Sequence, residues 1–340
     1  MNSSFIYMGS NPLMKLANFY SRKKLVEASL LRIVPKDKLP YEVYGLINEF
    51  LARGGKRFRS LLALECSRLC GGKDEDALPA ATAIELFHNF TLIHDDIEDG
   101  SQLRRAKPCL HITHGLPLAL NAGDGLFMMV WKAALEIKQK NSFSAQQILL
   151  SAFTSVLEGQ AMELAWYRQN NWDVSEDDYI TMAGGKTASL IEASCQVGAL
   201  LGGASQKEQE LLAKYGYKVG LAFQIQDDLL NLVGEEEKYK KEIGGDIREG
   251  KRTLMVLDCL KKLPAKDASK MRKILGEEKT TQQDIDWCIE KMKANGSIEY
   301  ASKYAHKLVD DAYDCLGPFK KSQERDDLQA VARYIIDREE

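Results

Sequence analysis

Two stretches of the 340-residue chain constrain its fold more than any other. They are AATAIELFHNFTLIHDD at 80–96 and GLAFQIQDDLLNLV at 220–233. Wound at about 100° per residue, each is apolar around most of its circumference, and such a helix belongs inside a bundle. Helical periodicity dominates elsewhere too. Helices are expected over 41–52, 58–69, 78–99, 118–139, 145–166, 177–200, 207–233, 253–262, 284–294, 298–316 and 325–338. Alternating runs bounded by turn residues are scarce, and only eight prolines interrupt the pattern. The expected fold class is therefore all-α, one domain over 1–340, with 1–20 a poorly defined N-terminal extension.

Both buried helices carry an Asp-Asp. In LIHDDIEDGSQLRR (92–105), Asp95 and Asp99 fall about 40° apart on the helical circle, on the side of His88 and Thr91. Local physics disfavours these acids in three ways. They repel one another at i,i+4, they sit at the negative end of the helix dipole before Gly100, and burial strips their water. A divalent cation removes all three difficulties, and clustered carboxylate oxygens suit Mg²⁺. The second stretch repeats the arrangement, with Gln224, Asp227 and Asn231 on one face beside Asp228. A third acid triplet, Asp310, Asp311 and Asp314 in KLVDDAYDCL, has the same spelling but lies on an ordinary amphipathic helix. It is expected to be solvated surface.

Cations stand where an anion would need them. GGKRFRS places Lys56, Arg57 and Arg59 behind Gly54-Gly55 at a helix start, where exposed N–H groups favour phosphate. Arg104 and Arg105 follow the first acid cluster. AGGKTAS puts Lys186 and Thr187 behind two glycines inside a helical run, so a local unwinding that aims Lys186 inward is expected. KKEIGGDIREGKRT offers Lys240, Lys241 and Lys251 beside Asp246. Mg²⁺ with surrounding cations points to a phosphorylated substrate.

Composition narrows the class. With 45% hydrophobic and 28% charged residues and a net charge of −3, the chain reads as globular and lacks the basic excess of a nucleic-acid binder. Seven scattered cysteines without a C-x-x-C pair read as reduced core residues of a cytoplasmic protein. No apolar run approaches a membrane span, and no signal peptide is evident.

The motifs GGKRFR, LFHNFTLIHDDIED, RRAKP, GDGLF, GGKTASL, FQIQDDLLN and GGDIREGKRTL, in this order, resemble the trans-isoprenyl diphosphate synthases. The resemblance is closest to the geranylgeranyl diphosphate synthases. It implies an isoprenoid-synthase helical bundle around a central apolar cavity, and a likeness to homodimeric enzymes. It also implies head-to-tail condensation of isopentenyl diphosphate with an allylic diphosphate, using Mg²⁺ (three ions with substrate bound, Mn²⁺ as an alternative). Asp95, Asp96, Asp99 and Asp227, with Asp228 and Asn231, then correspond to metal ligands. Arg104, Lys186, Thr187, Gln224 and Lys251, with Lys241, correspond to groups around the allylic diphosphate. Lys56, Arg59, His88 and Arg105 correspond to the isopentenyl diphosphate site. Phe90 and Thr91, just upstream of the first acid motif, correspond to positions that limit product length and imply a C20 product.

Three departures stand out, one of them Glu242 and Gly245 in slots near a lysine that faces phosphate in some relatives. Asn231 replaces the usual last Asp of the second motif, and Ala106 stands where Gly often follows the arginine pair. Competing readings are a C15 or C25 synthase, a non-catalytic partner subunit, a terpene cyclase and a metal-dependent phosphohydrolase. The last is disfavoured because only five histidines exist.

Overall fold

A computed structural model describes residues 16–234, 243–275, 277 and 280–337. The chain builds helices α1 (Ala17–Tyr20), α2 (Lys23–Ile33), α3 (Tyr41–Leu51), α4 (Phe58–Leu69) and α5 (Asp74–Glu98). A hairpin of β1 (Leu103–Arg104) and β2 (Lys107–Pro108) follows, then α6 (Leu110–His114), α7 (Leu116–Ala134), α8 (Ser142–Arg168) and α9 (Glu176–Ala183). A π-helical turn at Gly184–Ala188 leads into α10 (Ser189–Leu201) and α11 (Gln206–Val233). The rest comprises α12 (Gly245–Arg248), α13 (Leu254–Lys262), α14 (Ala265–Ile274), α15 (Gln282–Ala294), α16 (Ser297–Leu316) and α17 (Gln323–Asp337).

The two Asp-Asp helices, α5 and α11, lie at the centre. Helix α5 packs against α4, α7 and α10, while α11 packs against α10, α16 and α17. Their apolar circumference is what makes them central, because every side meets another helix. Capping boxes at Ser175/Asp178, Ser205/Glu208 and Thr281/Asp284 start α9, α11 and α15 by satisfying otherwise unpaired N–H groups.

Three expectations are corrected. The run 177–200 is two helices joined by the π turn, and 118–139 ends at Ala134. Within 16–20, Leu16 and Phe19 are buried in the core and α1 is helical. Helices α2 and α14 were not expected at all; their weaker apolar stripes cover the bundle from outside. The third acid triplet lies on the surface of α16, as the amphipathic pattern indicated. Asp310 and Asp314 are exposed, and Asp311 pairs with Lys218 at 2.9 Å.

Candidate active site

The C-terminal end of α5 and the last third of α11 face a cavity of about 400 Å³. Asp99, Arg104, Glu163, Lys186, Gln224, Asp227, Asp228, Asp246 and Lys251 line it. Asp95 lines an adjoining cavity of about 140 Å³, with Phe90, Thr91, Thr187 and Val156 on its walls. Lys186 borders both spaces.

Lys186 reaches this junction because the chain widens into a π turn. A side chain on Gly159 of α8 would sit 2.3 Å from the Lys186 nitrogen, and one on Gly185 would sit 2.8 Å from the Ser155 oxygen. The two backbones touch only because both residues are glycine. Lys186 Nζ donates to Glu163 Oε2 at 2.5 Å, and Tyr167 Oη donates to Glu163 Oε1 at 2.8 Å. Burial alone would push Glu163 up, but Lys186, Lys251 and Tyr167 hold its carboxyl below the usual range. Burial likewise pulls the Lys186 ammonium down, and Glu163, Asp95 and Asp99 outweigh it, so the net shift is upward. Lys186 therefore stays charged among carboxylates.

Asp95 and Asp99 show the strain their sequence implied. Burial pushes Asp95 up to about 7, with Asp99 and Glu98 adding to the rise and Lys186 opposing it. Asp99 is raised for the same first reason, against the pull of Lys186. Asp246 is raised by burial despite its 2.8 Å contact with Lys251.

Three of the expected metal ligands also hold neighbouring groups of the protein. Asp96 is 1% exposed and turned away from both cavities; it holds Arg104 at 2.5 and 2.7 Å. On the helical circle Asp96 lies about 100° from Asp95 and about 60° from Asp99, which takes its carboxylate off the cavity wall. Asp228 receives Tyr179 Oη at 2.7 Å on one oxygen and Gln224 Nε2 at 2.8 Å on the other. Gln224 in turn accepts the Thr187 hydroxyl at 2.7 Å, so Asp228 is a strut that orients both residues. Asn231 Oδ1 accepts the Asp246 N–H at 2.9 Å and its backbone oxygen accepts the Gly244 N–H at 2.7 Å. The amide fastens the following loop to α11 and so fixes Asp246 near Asp227. Lys241 lies outside the described residues.

A third cavity, also about 140 Å³, is walled by Lys56, Arg59, His88 and Arg105 on one side and by Phe58, Ile191 and Phe223 on the other. Arg59 and His88 also border the cavity of Asp95, so the spaces adjoin. Arg59 Nη1 lies 3.5 Å from His88 Nε2. Burial and then the surrounding arginines, Arg59 and Arg105 foremost, hold His88 well below its usual value, hence neutral. Arg57 contributes differently from its neighbours: it is 4% exposed and bonds Glu85 at 3.0 Å, so it fixes the loop.

Gly54 and Gly55 make this pocket. Both have positive φ, the Gly54 oxygen accepts a bond from Arg105, and a side chain on Gly55 would lie 3.0 Å from that guanidinium. Arg105 and Ala106 occupy the two-residue turn between β1 and β2 with φ of 56° and 60°. Such a turn demands left-handed backbone at both positions, which explains why glycine suits the place of Ala106.

The site also contains residues that the motifs did not single out. Glu163 and Tyr179 line the main cavity. Glu163 could have been found by the argument used for Asp95, since it is an acid inside the apolar run AMELAW. Arg252 is buried, lies 4.0 Å over Trp172 and bonds the Trp166 and Asn171 oxygens, which fixes the backbone next to Lys251. Phe90 rests on Phe87, Phe127 and His94 with centroids 5.5, 5.2 and 4.6 Å apart. Phe87 stacks on Phe153 at 3.9 Å, so an aromatic floor closes the cavity beneath Asp95.

The donors facing the cleft are carboxylate oxygens, hard ligands that fit Mg²⁺. Among the described residues no three His, Cys, Asp or Glu side chains form a ready metal cage. Mg²⁺ is typically held by one or two carboxylates together with substrate phosphates.

Known proteins resemble this chain over most of its length. A family model described as polyprenyl synthetase matches residues 41–292. A short chain isoprenyl diphosphate synthase of Methanocaldococcus jannaschii is 37% identical over 92% of this chain and 93% of its own length. A geranylgeranyl diphosphate synthase of Saccharolobus solfataricus is 36% identical over 84% of this chain and 87% of its own. The crystal structure of geranylgeranyl pyrophosphate synthetase from Pyrococcus horikoshii superposes with a TM-score of 0.91 at 33% identity, covering 97% of this chain and 100% of that one. The chain belongs to the polyprenyl synthetase family of prenyltransferases.

Proposed function

We propose that this protein makes geranylgeranyl diphosphate by adding isopentenyl diphosphate, head to tail, to allylic diphosphates. One observation carries the reading: an acid-lined cleft and a separate cationic pocket both adjoin the cavity of Asp95, the first through Lys186 and the second through Arg59 and His88. Two diphosphates can thus bind with their reacting carbons in the shared space. Asp95, Asp99 and Asp227 would hold Mg²⁺, three ions once substrate is bound and Mn²⁺ as a substitute, which stabilises charge on the departing diphosphate.

Lys186, Thr187, Gln224, Arg104 and Lys251 bind and orient the allylic diphosphate. Asp96 keeps Arg104 in place, and Glu163 keeps Lys186 charged and directed. Lys56, Arg59 and Arg105 bind the second diphosphate, with neutral His88 available as a hydrogen-bond partner. The carbon–oxygen bond of the allylic substrate breaks, and the double bond of isopentenyl diphosphate attacks the resulting cation. The proton lost from the new chain passes to the departing diphosphate. Phe90, Thr91 and Val156 surround the growing chain and exclude water from the cation. Phe90 and the aromatic stack beneath it limit growth to C20.

We assign the protein to the cytoplasm; among the described residues no helix is long and apolar enough to cross a membrane. We also assign it a homodimeric state. Phe143, Leu150 and Leu157 recur every seven residues along α8, each at least half exposed, beside exposed Leu120 and Met128 of α7. A heptad-spaced apolar stripe packs against another helix, and a second copy supplies one.

The test is chromatography of products formed from labelled isopentenyl diphosphate with C5, C10 and C15 allylic starters and Mg²⁺. A linear C20 product that requires isopentenyl diphosphate is expected. Cyclic products, a C15 or C25 end point, or no condensation by the purified protein would each refute a stated part of the reading.

A further inference from the structure

The cationic pocket has a wall that the motifs do not supply. Tyr334 and Ile335, near the end of α17, and Tyr20, the last residue of α1, complete its lining. Lys56 Nζ donates to Tyr334 Oη at 3.2 Å and lies 5.7 Å from the ring centroid. The first half of α17 is pinned by four bonds. Arg68 meets Glu324 at 3.3 Å, Asn18 donates to Asp327, Tyr215 Oη donates to the Leu328 oxygen at 2.7 Å and Tyr313 Oη to the Gln329 oxygen at 2.9 Å. The last turns pack Val331, Ala332 and Ile335 into the core and bring Tyr334 to the mouth of the pocket.

We propose that Tyr334 is a diphosphate-binding residue of the isopentenyl diphosphate pocket, and that substrate there ties the end of α17 down over it. This rests on the assignment of that pocket given above. Among the described residues the Tyr334 oxygen accepts from Lys56 while its own hydrogen meets no acceptor, so a donor is left at the pocket mouth. A diphosphate oxygen next to the Lys56 ammonium lies within reach of that donor and gains a charge-assisted bond. Burial, with Tyr334 nearby, pushes the Tyr20 phenol up to about 12, so the second hydroxyl at this mouth is also neutral and able to donate. Phe58, Phe223, Ile191 and Ile335 form the apolar side against which a C5 chain can rest.

Tyr334→Phe keeps the ring and removes only the hydroxyl. Its KM for isopentenyl diphosphate should rise about tenfold, the order expected for one hydrogen bond to a charged group. The KM for the allylic substrate, kcat and the unfolding midpoint should stay within experimental scatter. In the unaltered protein, isopentenyl diphosphate should slow hydrogen exchange of amides in 330–337, and in the variant it should not. An unchanged KM, an equal rise in both KM values, or equal protection of 330–337 in both proteins would overturn the proposal. Lys56→Gln separates the two layers of the argument. If it too leaves the KM for isopentenyl diphosphate unchanged, the pocket assignment fails. If it raises that KM while Tyr334→Phe is silent, only the role of Tyr334 fails.

Discussion

Replacing Asp95 with Asn should make the ligand-free protein more stable at alkaline pH, although it disables the enzyme. Burial raises the Asp95 carboxyl from 3.8 to about 7. An acid whose folded pKa lies above its unfolded one binds its proton more tightly in the fold. Stability is therefore undiminished below about pH 3.8, falls as pH rises to about 7, and carries the whole loss above that. The interval corresponds to about 4 kcal/mol at 1.36 kcal/mol per pH unit. Asp95 is only partly shielded from solvent, so screening and relaxation reduce this to about 2 kcal/mol. At about 2.1 cal/mol/K per residue, a chain of this length shifts its midpoint by about 3 °C for that energy.

Thermal unfolding of Asp95→Asn and unaltered protein, in EDTA at pH 8 and pH 5, measures the effect. The variant should melt about 3 °C higher at pH 8 and within about 1 °C at pH 5. Asp99, Asp228 and Asp246 are also raised and titrate in both proteins, so the difference reads Asp95 together with its coupling to Asp99 and Lys186. Adding Mg²⁺ with inorganic pyrophosphate should reverse the order. A variant that melts lower at pH 8, or a difference independent of pH, refutes the view that the empty acid site strains the fold.

The surface triplet serves as a control: Asp95→Ala should lower turnover by orders of magnitude, whereas Asp310→Ala should leave it within about twofold, since exposed surface changes rarely matter. Comparable losses in the two would show that burial does not distinguish the clusters. Phe90→Ala should lengthen the products by removing the ring above Phe87 and Phe127, and an unchanged chromatogram would remove Phe90 as the limit. Ala106→Gly should raise stability by about 1 kcal/mol, because a left-handed turn position is unfavourable for alanine. A lower unfolding midpoint would contradict the turn assignment.

Much of the fold was legible because burial leaves a periodic trace. The all-round apolar character of 80–96 and 220–233 identified the central helices, and the amphipathic pattern around Asp310 identified a surface one. Helices α2 and α14 escaped notice because a covering helix buries a narrow stripe, and a narrow stripe in a charged segment resembles a loop. Glycines marked unusual backbone at 54–55 and 184–185, but not its form. Only the packing of α8 against Gly185 makes a π turn there.

The sequence by itself determined that acids lie inside apolar helices, that cations stand near them, and that this balance suits a metal and a diphosphate. Tertiary structure alone decided which oxygen points where. Asp96 turns to Arg104, Asp228 to Tyr179 and Gln224, and Asn231 to the Asp246 N–H, so each of the three also supports a neighbour. Glu163 and Tyr334 enter their pockets from helices distant in sequence. The physical reason is one of range. Helical periodicity and burial couple residues a few positions apart, whereas hydrogen-bond partners across a bundle are set by how whole helices pack.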